Sequence, residues 1–130
     1  MARTAQFDMQ QFFLALGDTT RLRLLNLMSD QEVCVCYLVE VLGGPQPKIS
    51  RHLAYLRSAG VVGARRDGKW MHYSIQWPED GAARAILETV VGSFAENGEM
   101  QRDLSRLDRA CCEPQRLIAL QDAPLPVLLD

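Results

Sequence analysis

Histidine is nearly absent from this chain: its 130 residues include two, His52 and His72. Both lie in the middle of the sequence, so the C-terminal part cannot build a histidine-rich zinc site. Neither is placed as a general base beside a nucleophile. Long apolar runs are also missing. No stretch reaches the roughly 18 apolar residues that a membrane helix needs, so no membrane partner is expected. The opening "MARTAQFDMQQFF" lacks the basic segment, apolar core and small-residue cleavage site of a secretion signal. A reducing, cytoplasmic setting is therefore expected, in which thiols stay free. Internal repeats and low-complexity segments are absent. The four cysteines fall as two close pairs, Cys34 with Cys36 and Cys111 with Cys112. Neither pair has the C-x₂₋₄-C spacing of a structural zinc site. C-V-C is not the C-x-x-C of a thiol oxidoreductase, and no βαβ unit surrounds it. An enzyme is not expected.

What is present is ordinary globular composition, 48% hydrophobic and 23% charged. The net charge of −2 conceals an uneven distribution. Residues 1–47 carry −2, residues 48–73 carry +5, and residues 74–130 carry −5. The basic middle holds Lys48, Arg51, Arg57, Arg65, Arg66 and Lys69 against Asp67 alone. Such a localised patch is the footprint of a polyanion-binding surface.

The chain reads as helices interrupted by one hairpin. Gln6–Leu16 carries Phe12, Phe13 and Leu16 on an apolar face, with Phe7 behind them. Gly17 stops it, and Asp18 or Thr19 caps a second helix with Leu22, Leu25, Leu27 and Met28 on its buried side. "SDQE" at 29–32 reads as the cap of a third helix running to about Leu42. Two glycines and two prolines in "GGPQP" force a turn, and Pro47 suits the first turn of a fourth helix. There Ile49, Leu53 and Leu56 face the core, and Gly60 ends it. "VVGARR" and "KWMHYSI" then read as strands joined by "DG". A long helix after Pro78 presents Ile86, Leu87, Val90, Val91 and Phe94. "ENG" at 96–98 breaks it. A last helix stripes Met100, Leu104, Leu107 and Cys111, with Pro114 as its stop. The expected fold is mainly α (α+β): a winged helix-turn-helix with a two-stranded β-hairpin wing and flanking dimerisation helices. Residues 1–113 form the DNA-binding and dimerisation domain in this reading. Residues 114–130 form an extended or partly disordered tail.

In such a motif the second helix enters the major groove with its N-terminal residues on base edges. Here those are Gln46, Lys48, Ser50, Arg51 and His52, all hydrogen-bond donors, and Arg51 can read guanine bidentately. Arg65, Arg66 and Lys69 flank the hairpin tip, where they can meet phosphates or the minor groove. Trp70 and His72 are assigned to packing within the hairpin.

The stretches "CVCYLVEVL", "QPKISRHLAYLRSAG" and "RRDGKWMHY" resemble the ArsR/SmtB family of metalloregulatory repressors, in particular its arsenic-responsive branch. The similarity covers roughly residues 10–95. It implies a homodimer on double-stranded operator DNA, released when arsenic(III) or antimony(III) binds cysteine thiolates. No cofactor is needed for DNA binding in that scheme. Cys34 and Cys36 match the first two cysteines of the family's C-V-C-x-x-C motif, but Val39 stands at the third. Three roles stay open for Cys111 and Cys112. They can complete the Cys34/Cys36 site, from the same chain or its partner. They can form a second site, suited to methylated arsenicals that need only two sulfurs. Or Cys111 is simply a core residue. On a regular helix Cys34 and Cys36 would diverge, so ion binding is expected to distort the third helix. A thiol redox switch on the same DNA-binding scaffold is the alternative function.

Overall fold

The computed structural model describes residues 7–112, 120 and 122–129. Six α-helices and four short strands form the described part of the chain. Helices α1 (Met9–Leu16) and α2 (Thr19–Leu27) start at aspartate caps: Asp8 accepts from the Gln11 amide and Asp18 from the Arg21 amide, each at 3.0 Å. The core gathers Phe12 from α1, Leu24, Leu25 and Leu27 from α2, and Tyr37 and Leu38 from the third helix. Phe13, read from the sequence as part of the helix's apolar face, is half exposed, as is Leu14. The short α1 turns only Phe12 and Ala15 fully inward.

The segment after α2 departs from the expected helix. Gln31–Cys34 is a strand, β1, and α3 (Val35–Leu42) begins only after it. The "SDQE" segment expected to cap that helix therefore leads into the strand, and Glu32 lies within it. Cys34 sits at the N-cap of α3 with extended backbone. The reason is tertiary: β1 pairs antiparallel with the second wing strand, aligning Val33 with Tyr73 and Cys34 with His72. Gly43, at φ +74°, ends α3 in a left-handed conformation and opens the turn of the helix-turn-helix.

Helix α4 (Gln46–Ser58) buries Ile49, Leu53 and Leu56, as its spacing predicts. The wing hairpin is β2 (Val62–Asp67) and β3 (Trp70–Ile75), closed by a tight loop whose Gly68 has φ +61°. The hairpin is as expected, but its sheet is larger, with strand order β2-β3-β1-β4. The fourth strand, β4 (Val127–Leu128), comes from the C-terminal tail and pairs with Gln31 and Glu32 of β1. The Leu129 amide adds a bond to the Asp30 carbonyl at 2.9 Å, and Leu120 is buried in the core. The remainder of the tail expectation, at residues 113–119, 121 and 130, lies outside the described residues, as does the helix stop at Pro114.

Helix α5 (Gly81–Ser93) buries Ala83 and Leu87, with Ile86, Val90 and Val91 partly covered. A 3₁₀ turn at Phe94–Glu96 joins it to α6 (Gly98–Cys112). The buried stripe of α6 is Met100, Asp103, Leu107 and Ala110, turned slightly from the expected one. Asp103 is fully buried. Arg23 of α2 grips it through two bonds of 2.7 and 2.9 Å, and Arg106 adds a third at 3.0 Å. Asn26 of α2 donates to the Met100 carbonyl at 2.8 Å. These contacts fasten α6 to α2.

Candidate nucleic-acid interface and thiol pair

The outer face of α4 follows from its inner one. With Ile49, Leu53 and Leu56 turned to the core, Gln46, Lys48 and Arg51 are exposed and Ser50 is half-buried. His52 points elsewhere. Its ring faces α2, where Arg21 donates to Nδ1 at 3.2 Å and Asp18 stands 3.8 Å away. Arg21 also donates to the Leu14 and Ala15 carbonyls, at 2.9 and 2.8 Å. Its guanidinium lies 4.3 Å from the Tyr55 ring centre. One side chain thus braces the end of α1 and the inner edge of α4. Arg21 drew no attention in the sequence, because its partners Leu14, Ala15, His52 and Tyr55 are brought to it only by the fold.

On the wing, Arg66 and Lys69 are exposed, with Lys69 Nζ 5.0 Å from the Trp70 ring. Arg65 is exposed too, but β1 engages it: Glu32 accepts from Arg65 Nη2 at 2.7 Å and from Nε at 3.1 and 3.2 Å. The Arg65 hydrogen bonds hold the Glu32 carboxyl below its ordinary range against the opposing effect of burial. His72 is buried, its Nε2 4.0 Å from Asp67 and without a hydrogen-bond partner among the described residues.

The two thiols of the C-V-C segment straddle a joint. Cys34 ends β1 and caps α3, whereas Cys36 lies in the first turn of α3. Cys34 is fully buried. Burial, reinforced by the Cys36 sulfur, pushes the Cys34 thiol up to about 11; the Cys36 amide pulls the other way. The pair does not lie within one regular helix, as the sequence suggested it would: Cys34 ends a strand with extended backbone and Cys36 is the second residue of α3.

The second pair lies at the end of α6. Cys111 packs against the core and burial pushes its thiol up to about 11, helped by Asp108 and Cys112. Cys112 is exposed, and all four cysteines are free thiols. Among the described residues, no three His, Cys, Asp or Glu side chains are grouped so as to hold a metal ion. Tyr37, one residue past the C-V-C segment, is fully buried, and its hydroxyl has no partner among the described residues. Burial pushes its phenol up, and the sulfurs of Cys111, Cys34 and Cys36 add to the effect.

Residues 18–63, from the cap of α2 into the wing, match the profile of the bacterial regulatory protein, arsR family. The chain is 39% identical over 108 residues to the arsenic resistance transcriptional regulator ArsR1 of Pseudomonas putida, covering 82% of this chain and 83% of that one. The chain belongs to the arsR family. It is thus a member of a regulator family rather than an enzyme family. Another relative of this arsR-family protein is the arsenical resistance operon repressor of Escherichia coli K12. The two are 50% identical over 66 residues, half of this chain and 56% of the repressor. The match therefore spans just over half that relative's length. Among solved structures, the AntR antimony-specific transcriptional repressor is similar at a TM-score of 0.53 and 28% identity. That likeness covers 70% of this chain and 80% of the other. No described helix is long and apolar enough to cross a membrane.

Proposed function

We propose that this protein is a homodimeric repressor of double-stranded operator DNA, released when trivalent arsenic or antimony is held by Cys34 and Cys36. The observation that carries this reading is the double membership of Cys34. It ends a strand hydrogen-bonded into the wing sheet and caps the first helix of the helix-turn-helix. Any displacement of its sulfur is felt by both DNA-reading elements. The donor chemistry fits the effector: two adjacent thiols suit a soft trivalent centre. Burial opposes the thiolate that coordination demands, and the backbone amides of Cys36 and Val35 offset only part of that. Gln46, Lys48, Ser50 and Arg51 on α4 read bases and neighbouring phosphates, and Arg66 and Lys69 hold the wing to the backbone. The half-exposed Phe13 and Leu14 of α1, with Ile86, Val90 and Val91 of α5, supply a self-complementary surface for the dimer. Two half-sites about 34 Å apart must be met at once, so a small reorientation in each protomer breaks the fit. Near-complete switching requires about 5.5 kcal/mol of differential binding, which two sites per dimer can share.

The names of the arsenic and antimony repressors among its relatives support this effector class. Fluorescence anisotropy on labelled operator tests the reading. Arsenite is expected to release the wild type but not the Cys34→Ser, Cys36→Ser double variant, and peroxide to release neither. Normal arsenite release by the double variant would refute the proposal, and release by peroxide alone would favour the redox reading.

Glu32 has a place in this scheme as a competitor for Arg65. Its carboxylate occupies the guanidinium that would otherwise reach a phosphate. Glu32→Gln is expected to raise operator affinity about threefold to tenfold. The salt dependence should steepen by about one phosphate's worth. An unchanged affinity and slope would mean that Arg65 stays on β1 in the complex.

A further inference from the structure

Tyr37 is the residue that the function above leaves unexplained. Its ring is fully buried where α3 packs on α6, and its hydroxyl has no hydrogen-bond partner among the described residues. Buried hydroxyls are almost always satisfied, because an unpaired one carries the full desolvation penalty. An orphan in a core therefore points to a group that arrives later. Cys34, at the N-cap of α3, and Tyr37, three residues on, are both fully buried, so they share the core-facing side of the helix start.

The thiol pair itself raises the matching question. Val39 stands where a third cysteine would give a third sulfur, and no third ligand is grouped with the pair among the described residues. When two thiols take up arsenite, As(OH)₃, two As–O bonds are replaced by two As–S bonds. Each thiol proton leaves with a hydroxyl as water. Arsenic stays trivalent and no electrons are exchanged. One As–OH remains, and in an apolar core that oxygen needs a donor. We infer that the Tyr37 hydroxyl donates a hydrogen bond to the one oxygen an inorganic trivalent metalloid keeps when Cys34 and Cys36 supply its only sulfurs. This rests on the reading of Cys34 and Cys36 given above and deepens it. Tyr37 becomes a specificity residue. A monomethyl arsenical, CH₃As(OH)₂, loses both oxygens to the same two thiols and leaves a methyl group in place of the acceptor. It gains nothing from the hydroxyl.

Tyr37→Phe removes the hydroxyl and keeps the ring. In the effector-free protein it should leave operator affinity unchanged and the melting temperature unchanged or higher, since no bond is lost. Arsenite affinity, followed by the ultraviolet absorption of the As–S bonds, should fall about tenfold, and methylarsenite affinity should not move. X-ray absorption of the wild-type arsenite adduct should count two sulfurs and one oxygen. Equal arsenite affinity in the Phe variant would overturn the inference. So would a lowered melting temperature, which would mean the hydroxyl is already bonded. Three sulfurs around arsenic, with binding weakened by Cys111→Ser, would overturn it in favour of Cys111. Arsenite binding that survives Cys34→Ser, Cys36→Ser would instead remove the reading beneath it.

Discussion

Arg23→Ala is expected to destabilise the protein by about 3–5 kcal/mol, the cost of leaving a buried charge without its partner. Asp103 is wholly buried and sits on the core-facing stripe of α6. Arg23 reaches it from α2 with a forked pair of bonds, and its own side chain is 19% exposed. Arg106 also donates to Asp103 but is 48% exposed and bonds only one oxygen. It lessens the loss without replacing the fork. Arg106→Ala should cost about 1 kcal/mol or less, as exposed pairs do. Urea denaturation of the three proteins gives the ordering, and the Arg23→Ala melting temperature should fall by on the order of 10 °C. A second comparison isolates the charge from the packing. Arg23→Leu with Asp103→Leu removes both charges, and should recover most of the stability. If Arg23→Ala costs under about 1 kcal/mol, water or Arg106 satisfies Asp103, and the clamp between α2 and α6 is weak.

The parts of this fold that were legible in the sequence are those with local signals. Asp18 as a cap, the Gly-Gly-Pro turn, the Ile49–Leu53–Leu56 spacing and the Asp67–Gly68 corner each act within a few residues. They located the helix-turn-helix and the wing. Strand β1 was not legible, because Gln31–Cys34 has no alternation of its own. It is a strand only through partners in β3 and β4, some 40 and nearly 100 residues away. Followed by the apolar run of α3, it read as more helix. The same omission concealed that the thiol pair straddles the corner between β1 and α3. Asp103 looked like the polar side of α6, since a buried carboxylate is identified by its distant arginine and not by its neighbours. His52 read as a DNA contact from its place in α4. Its ring turns to Arg21, thirty-one residues earlier. Tyr37 gave no signal at all, because an unpaired hydroxyl exists only in three dimensions.

Arg21→Ala is expected to lower both stability and operator binding, and the two effects can be told apart. Its guanidinium satisfies the Leu14 and Ala15 carbonyls at the end of α1, braces His52, and lies on Tyr55. Charge-assisted bonds of this kind contribute about 1.5–3 kcal/mol, and an exposed cation–π contact about 0.5–1 kcal/mol. With part of the site open to water, a loss of about 2–3 kcal/mol is expected. Lysine restores the charge but not the fork, so Arg21→Lys should recover less than half of it. Below the melting temperature the variant is folded, yet α4 has lost the brace on its inner edge. Operator affinity should then fall about tenfold, because the helix must be ordered on binding at a cost the wild type does not incur. The slope of affinity against salt should stay as in the wild type, since no phosphate contact has been removed. A slope shallower by about one unit would mean that Arg21 itself touches the DNA backbone, and the account of it as a brace within the protein would fail.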